Sequence, residues 1–179
     1  MTWKLDMAHS AIEFSVRHMM VSTVKGNFRE FSADLELDPE DLTKSSVRAV
    51  VKVASVDTRD PQRNAHLTSA DFFEAEKFPE MVFQSTRVEH VGGDRYRVTG
   101  DLTIKDVTRP ITLDVTYLGT QVSPYGVKAA GFEAATTISR KDFGLTWNVA
   151  LETGGMLVGD EVKISVDAEA NLVDQAAAA

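Results

Sequence analysis

Cysteine is absent from all 179 residues, which removes disulfide frameworks, thiolate nucleophiles and zinc–thiolate centres together. Basic residues are scarce: 19 Lys plus Arg stand against 27 Asp plus Glu, a net charge of −8. Nucleic-acid binding and anchoring on anionic lipid both rest on clustered Lys and Arg, so this balance argues against both. No apolar run approaches the ~20 residues that span a bilayer as a helix, and membrane insertion is not expected. The opening Met1-Thr2-Trp3-Lys4-Leu5-Asp6 lacks the apolar segment and cleavage site of a signal peptide. As written, the chain reads as cytoplasmic; a periplasmic form whose signal had been removed would read the same.

Catalytic signatures are equally thin. The four histidines, His9, His18, His66 and His90, contain no His-x-His or His-x-x-x-His pair. A metal would need ligands from distant elements, such as His9 with His66, and no metal site is expected. No serine sits in Gly-x-Ser-x-Gly. Gly154-Gly155-Met156-Leu157-Val158-Gly159 lacks the Lys-Ser or Lys-Thr end of a phosphate loop and reads as a rim or hairpin. No constellation suits acid–base or nucleophilic chemistry, so catalysis is not expected.

What the chain does have is alternation. In Ser10 to Phe28, residues Ile12, Phe14, Val16, His18 and Met20 share one face, and Glu13, Ser15, Arg17 and Met19 the other. Period two argues a half-buried strand rather than a helix. The pattern returns through Ala33, Leu35 and Leu37, through Val47, Ala49, Val51 and Val53, and through Ile111, Leu113, Val115 and Tyr117. Asp160 to Leu172 alternates again, through Val162, Ile164, Val166, Ala168 and Ala170. Val91-Gly92-Gly93-Asp94 marks a hairpin between Met81–His90 and Arg95–Lys105. One region departs: Asp60-Pro61 is an N-cap followed by a first-turn proline, and Asp60 to Phe78 is expected to form one or two short helices.

About eight long strands with hairpin connections predict an all-β domain. Long strands must close or stack to hide their edges, and eight is the number at which a closed barrel can hold one slender ligand. A single eight-stranded antiparallel barrel over residues 1–174 is the expected architecture, with a two-sheet sandwich as runner-up and a disordered tail over 175–179. Walls on the order of 30 Å tall favour an elongated tube.

The inward faces either fill a solid core or line a cavity for an apolar guest. Candidate lining residues are Ile12, Phe14, Val16, Met20, Val51, Val53, Phe83, Leu102, Ile104, Leu113, Val115, Ile138 and Ile164, with Leu67, Phe72 and Phe73 of the helical region gating one mouth. His18 shares the apolar face and could cap a polar head. In Ser139 to Asn148, Arg140 either braces the turn with Asp142, Phe143 and Trp147 plugging one end, or holds a phosphate or carbonyl head at the mouth.

The residues then point to a family. His9 to Met20, Val24-Lys25-Gly26-Asn27-Phe28, Ser55 to Arg59, Asn64-Ala65-His66-Leu67 and Asp71-Phe72-Phe73 resemble the YceI-like family. So do Leu102 to Leu113, Arg140 to Gly144 and Gly159 to Val162, in the right order along nearly the whole chain. The resemblance implies a lipocalin-like barrel whose elongated apolar pore binds a polyisoprenoid, such as an isoprenoid quinone or prenyl phosphate, with no covalent cofactor. The leading expectation is a carrier or storage protein for that lipid. An enzyme modifying such a lipid, with His18 and Arg140 near the head group, and a plugged-barrel stress-related interaction module are the alternatives. No motif specifies assembly, and a homodimer is compatible with the sequence.

Overall fold

The computed structural model describes residues 2–174; the tail expected to be disordered, 175–179, lies outside the described residues. Eleven strands follow one another: β1 (Thr2–Leu5), β2 (Ala11–His18), β3 (Ser22–Phe28), β4 (Phe31–Glu36), β5 (Ser46–Lys52), β6 (Val56–Asp57), β7 (Glu80–Gly92), β8 (Arg95–Ile104), β9 (Val107–Val122), β10 (Lys128–Ser139) and β11 (Val158–Val173). Among the described residues a single α-helix, α1 (Pro61–Thr68), interrupts them between β6 and β7.

The eleven strands reduce to eight walls. β1 and β2 both pair with β11, on either side of a 3₁₀ turn at Met7–His9. β3 and β4 form the next wall, broken at Arg29 and Glu30, and β5 and β6 the third, broken by a 3₁₀ turn at Val53–Ser55. The remaining strands each make one wall, and β1 pairs with both β4 and β11, closing the ring. The result is a closed antiparallel barrel of eight walls, as the strand count predicts, and closure rules out the two-sheet sandwich. No edge is left for another chain to pair with along the closed part of the ladder.

The breaks correct two sequence expectations. Val53 was expected to continue the inward face of β5. Instead the strand ends at Lys52, and Val53, 1% exposed, packs among Phe28, Val56, Met81 and Ile104 beneath the barrel end. Met20 was expected on the inward face of β2. That strand ends at His18, and Met19 and Met20 turn back with φ of 52° and 61° to start β3. Met20 is therefore 64% exposed.

Turn chemistry elsewhere follows the sequence. The Asp60 carboxylate accepts hydrogen bonds from the Gln62 and Arg63 amides at 3.0 and 3.2 Å, and Pro61 opens α1. Only one helix forms in this region; Ser69 to Lys77 continues as tight turns.

Candidate functional site

Alternation places the apolar phase of every wall inside the barrel, where it encloses an elongated cavity of about 480 Å³ lined almost entirely by carbon. That is within the ~300–1,000 Å³ of ordinary small-molecule sites. Small residues keep the space open: Ala33, Ala49, Ala134 and Ala168 stand on the inward phase among larger neighbours. Glycine contributes as well. Phe14 faces Gly26 across β2 and β3, and Phe83 stands over Gly100, so two aromatic rings lie against backbone that carries no side chain.

One end of the tube carries a packed apolar cluster. Trp3, Ala130 and Ala170 are buried there, with Leu35, Leu37, Tyr117, Phe132 and Leu172 against them, and the Tyr117 and Phe132 rings stack at 5.2 Å. The other end is roofed by α1, the turns after it and the segment between β10 and β11. Phe143 and Leu145 are buried beneath this roof, joined by Leu67 and Phe73. His66 meets Trp147 and Phe72 edge-on at 4.6 and 5.0 Å, tying the helix to the segment that follows β10.

Every Arg and His that reaches the cavity wall does so at or near this roofed end: Arg17, His18, Arg63, His66 and Arg140. Their states differ. Arg63 donates to the Thr58 hydroxyl and carbonyl at 2.9 and 2.8 Å, and His66 is hydrogen-bonded to Asp71 at 2.9 Å. The ring of His18 and the indole N–H of Trp147 have no hydrogen-bond partner among the described residues. With the Arg17 guanidinium, likewise without a partner among the described residues, they are the polar groups at this mouth still able to meet a ligand.

Arg140 is a brace. Only 5% exposed, it donates to the carbonyls of Gly159 and Leu145 at 2.8 Å, Trp147 at 3.3 Å and Val158 at 3.5 Å. No ion pair joins it to Asp142 among the described residues. Burial pulls its pKa down, and the nearby Asp160 carboxylate opposes that pull. Asp160 is itself held below the usual carboxylate range, first by the Ser139 hydroxyl, then by the Lys141 amide. Of the two roles open to Arg140 from sequence, the geometry is that of turn bracing; its guanidinium is spent on the backbone of the roof.

Of the other sequence candidates, Ile12, Phe14, Val16, Val51, Leu67, Phe72, Phe73, Phe83, Leu102, Ile104, Leu113, Val115, Ile138, Trp147 and Ile164 all reach the cavity wall. Met20 and Val53 do not. Val24, Phe31, Met81, Val98, Phe132, Val162 and Arg63 also line the cavity without being among the sequence candidates, although all but Arg63 lie on alternating strands. Arg63 carries no sequence signal beyond its place in the first turn of α1.

One other group has metal-ligand chemistry: the ligand atoms of Asp6, His9 and Glu169 lie within 4.8 Å of one another on the outer wall. The Asp6 oxygens already accept from the Ala8 amide at 3.0 Å, His9 at 3.0 Å and Asn171 at 3.1 Å. The cluster is a hydrogen-bonded tie across the β1–β2 break. His9 and His66 thus each have an acid of their own and are not brought together.

Among the described residues, no helix is long and apolar enough to cross a membrane. Comparison with known proteins agrees with the barrel. Residues 3–170 match the model of the YceI-like domain. A UPF0312 protein of Staphylococcus epidermidis is 39% identical over 168 residues, covering 93% of this chain and 95% of its own. BcnA of Burkholderia cenocepacia superposes with a TM-score of 0.79 at 28% identity, covering 92% of this chain and 98% of its own. A polyisoprenoid-binding domain from Saccharophagus degradans shares the fold, with a TM-score of 0.69 at 16% identity over 96% of this chain and 99% of its own. The chain, from Trp3 to Ala170, belongs to the YceI-like family.

Proposed function

We propose that this protein binds a polyisoprenoid lipid inside the barrel, as a carrier or storage protein. The observation that carries the reading is the chemistry of the cavity: about 480 Å³ lined almost entirely by carbon from every wall, with a packed apolar cluster at the Trp3 end and polar groups at the α1 end. A branched, unsaturated hydrocarbon chain with one polar head matches that distribution. Each buried CH₂ contributes ~0.8 kcal/mol, so a chain of several isoprene units gains enough to offset the ordering cost of a soluble complex. The head lies at the roofed end, with the His18 ring and the Trp147 indole as its polar contacts. The polyisoprenoid-binding character of the Saccharophagus domain supports the same class of ligand.

The ligand class is an isoprenoid quinone or a prenyl phosphate, held without a covalent cofactor. A binding role is favoured over a lipid-modifying one because His18 has no carboxylate partner among the described residues, and Arg140 is committed to backbone carbonyls. Extraction of the purified protein with organic solvent, followed by mass spectrometry, tests the reading. An isoprenoid in stoichiometric amount is expected. An empty extract, together with no uptake of isoprenoid quinone offered in detergent, sinks it.

A further inference from the structure

The turn between β2 and β3 spends stability on an unusual choice of residues. Met19 and Met20 are both left-handed, with φ of 52° and 61°, and the Val21 amide closes the turn on the His18 carbonyl at 3.2 Å. Positive φ at both central positions is the type I′ pattern, where Asn-Gly is the favoured pair. A left-handed residue with a side chain costs roughly 1–2 kcal/mol, and such strain persists where something else requires it. Neither methionine is there to fill the core. Met19 is 46% exposed and Val21 80%.

Beside this turn stands a second tip, apolar at its base but with exposed Glu152 and Thr153 at its bend. Val149 to Leu157 folds back on itself through the Ala150–Met156 bridge and the Leu157 amide on the Val149 carbonyl, leaving Val149 and Met156 exposed. The two tips are joined. The Met19 amide donates to the Leu157 carbonyl at 2.7 Å, and the Met20 side chain lies over Gly155, its sulfur 2.0 Å from where a Cβ on that residue would stand. Directly behind them, His18, Leu157 and Val158 are part of the cavity wall.

We infer that Met19, Met20, Val21, Val149 and Met156 form a rim that dips into the surface of a lipid bilayer, so that an isoprenoid passes between membrane and barrel without crossing water. The inference rests on the proposed lipid cargo. The rim is continuous with the mouth of the cavity, and a cargo that is insoluble in water has to be collected from a membrane. Flexible, unbranched methionine suits a surface that must adapt to disordered acyl chains. With a net charge of −8, the chain has little electrostatic attraction to anionic lipid, so attachment is apolar and weak.

The test is the double substitution Met19→Asn with Met20→Gly, which removes two apolar side chains while supplying the residues this turn prefers. The folded protein is expected to become more stable, with Tm higher by about 4 °C or more. Flotation with phosphatidylcholine vesicles, at low salt and at high salt, is expected for the parent protein. The double variant should lose it at least about tenfold. Transfer of isoprenoid quinone out of doped vesicles should slow by a similar factor, while uptake of the same quinone from detergent is unchanged. Tyr125→Ser, at the exposed β9–β10 turn of the opposite end, serves as control and should leave flotation intact.

Equal flotation of parent and double variant overturns the inference, as does an equal loss in the Tyr125 control. A parent protein that sediments as a dimer, ignores vesicles and becomes monomeric in the double variant assigns the rim to a second copy and also overturns it. Failure to take up quinone from detergent, with flotation intact and sensitive to Met19 and Met20, counts against the cargo and leaves the rim a membrane contact.

Discussion

Phe14 and Gly26 are directly opposed across β2 and β3, and a methyl placed on Gly26 would stand 2.5 Å from Cζ of the Phe14 ring. The ring occupies the space that any other residue's side chain would claim. Gly26→Ala therefore forces Phe14 further into the tube. The expected outcome is a loss of roughly 1–3 kcal/mol in chemical denaturation, the usual cost of overpacking, together with a smaller cavity and weaker isoprenoid uptake. Unchanged stability and unchanged uptake would refute this account of the pair.

Filling the cavity from the neighbouring wall should separate binding from folding. Ala49 lies on the inward phase of β5 and reaches the cavity. In Ala49→Phe the new ring enters space already empty, so the melting temperature should hold or rise while copurifying lipid falls by at least about tenfold. If lipid content survives, the ligand does not pass Ala49.

Arg140 makes the roof vulnerable to one substitution. Arg140→Met keeps the apolar stem but abandons the carbonyls of Leu145, Gly159, Trp147 and Val158. A buried acceptor left unpaired costs about 1–3 kcal/mol, so urea denaturation should report a loss above about 3 kcal/mol. Arg140→Lys should be nearly as damaging, because a single ammonium cannot reproduce the flat, multi-pronged guanidinium.

His18→Ala separates mouth from wall. With no hydrogen-bond partner for its ring among the described residues, loss of the imidazole should leave stability within about 0.5 kcal/mol. Uptake of a quinone or prenyl phosphate should weaken, while uptake of a hydrocarbon chain without a polar head should not. Equal affinity for all three reduces His18 to part of the wall.

The tie across the β1–β2 break predicts a pH signature. The His9 pKa is raised, first by its hydrogen bond to Asp6, and the Asp6 pKa is lowered, first by the same bond. The stabilisation from His9 is complete below its ordinary 6.5 and disappears as pH climbs through the raised value. That from Asp6 is complete above 3.8 and disappears as pH falls through the lowered value. The difference in melting temperature between the parent protein and His9→Ala should therefore be bell-shaped, greatest near about pH 5 and smaller at both extremes. A flat difference would show that the pair contributes no charge-dependent stability.

Alternation made the barrel legible because its interior is apolar on every wall, and the same signal located most of the cavity. It could not reveal where a strand breaks. Val51 and Val53 keep the same phase, yet the chain leaves the ladder between them; Met20 follows His18 in phase but belongs to a turn. Hydrophobic pattern has no information on backbone hydrogen bonds, and those decide both cases. Bracing was one of two roles the sequence left open for Arg140; its partners are carbonyl oxygens that any residue carries, so nothing in the pattern decided between the two. Whether the inward face encloses a core or a cavity depends on summed volume. The hint lay in the alanines at 33, 49, 134 and 168 and the glycines at 26 and 100, read together across strands far apart in sequence.

The closing ladder pairs Thr2 with Val173 and Trp3 with Leu172. The first and last strands thus meet only after a loop of nearly the whole chain has formed, and the other walls can assemble from neighbouring hairpins without them. Loop-closure entropy makes such a contact late and slow to form. During synthesis, the open sheet exposes its apolar inner face until β11 has been made. Joining the ends and cutting the chain at the exposed Ser123–Val127 turn would pass that wait to β9 and β10, which would then lie at opposite ends of the chain. The permuted barrel should therefore refold no faster than the natural order, as stopped-flow tryptophan fluorescence can show.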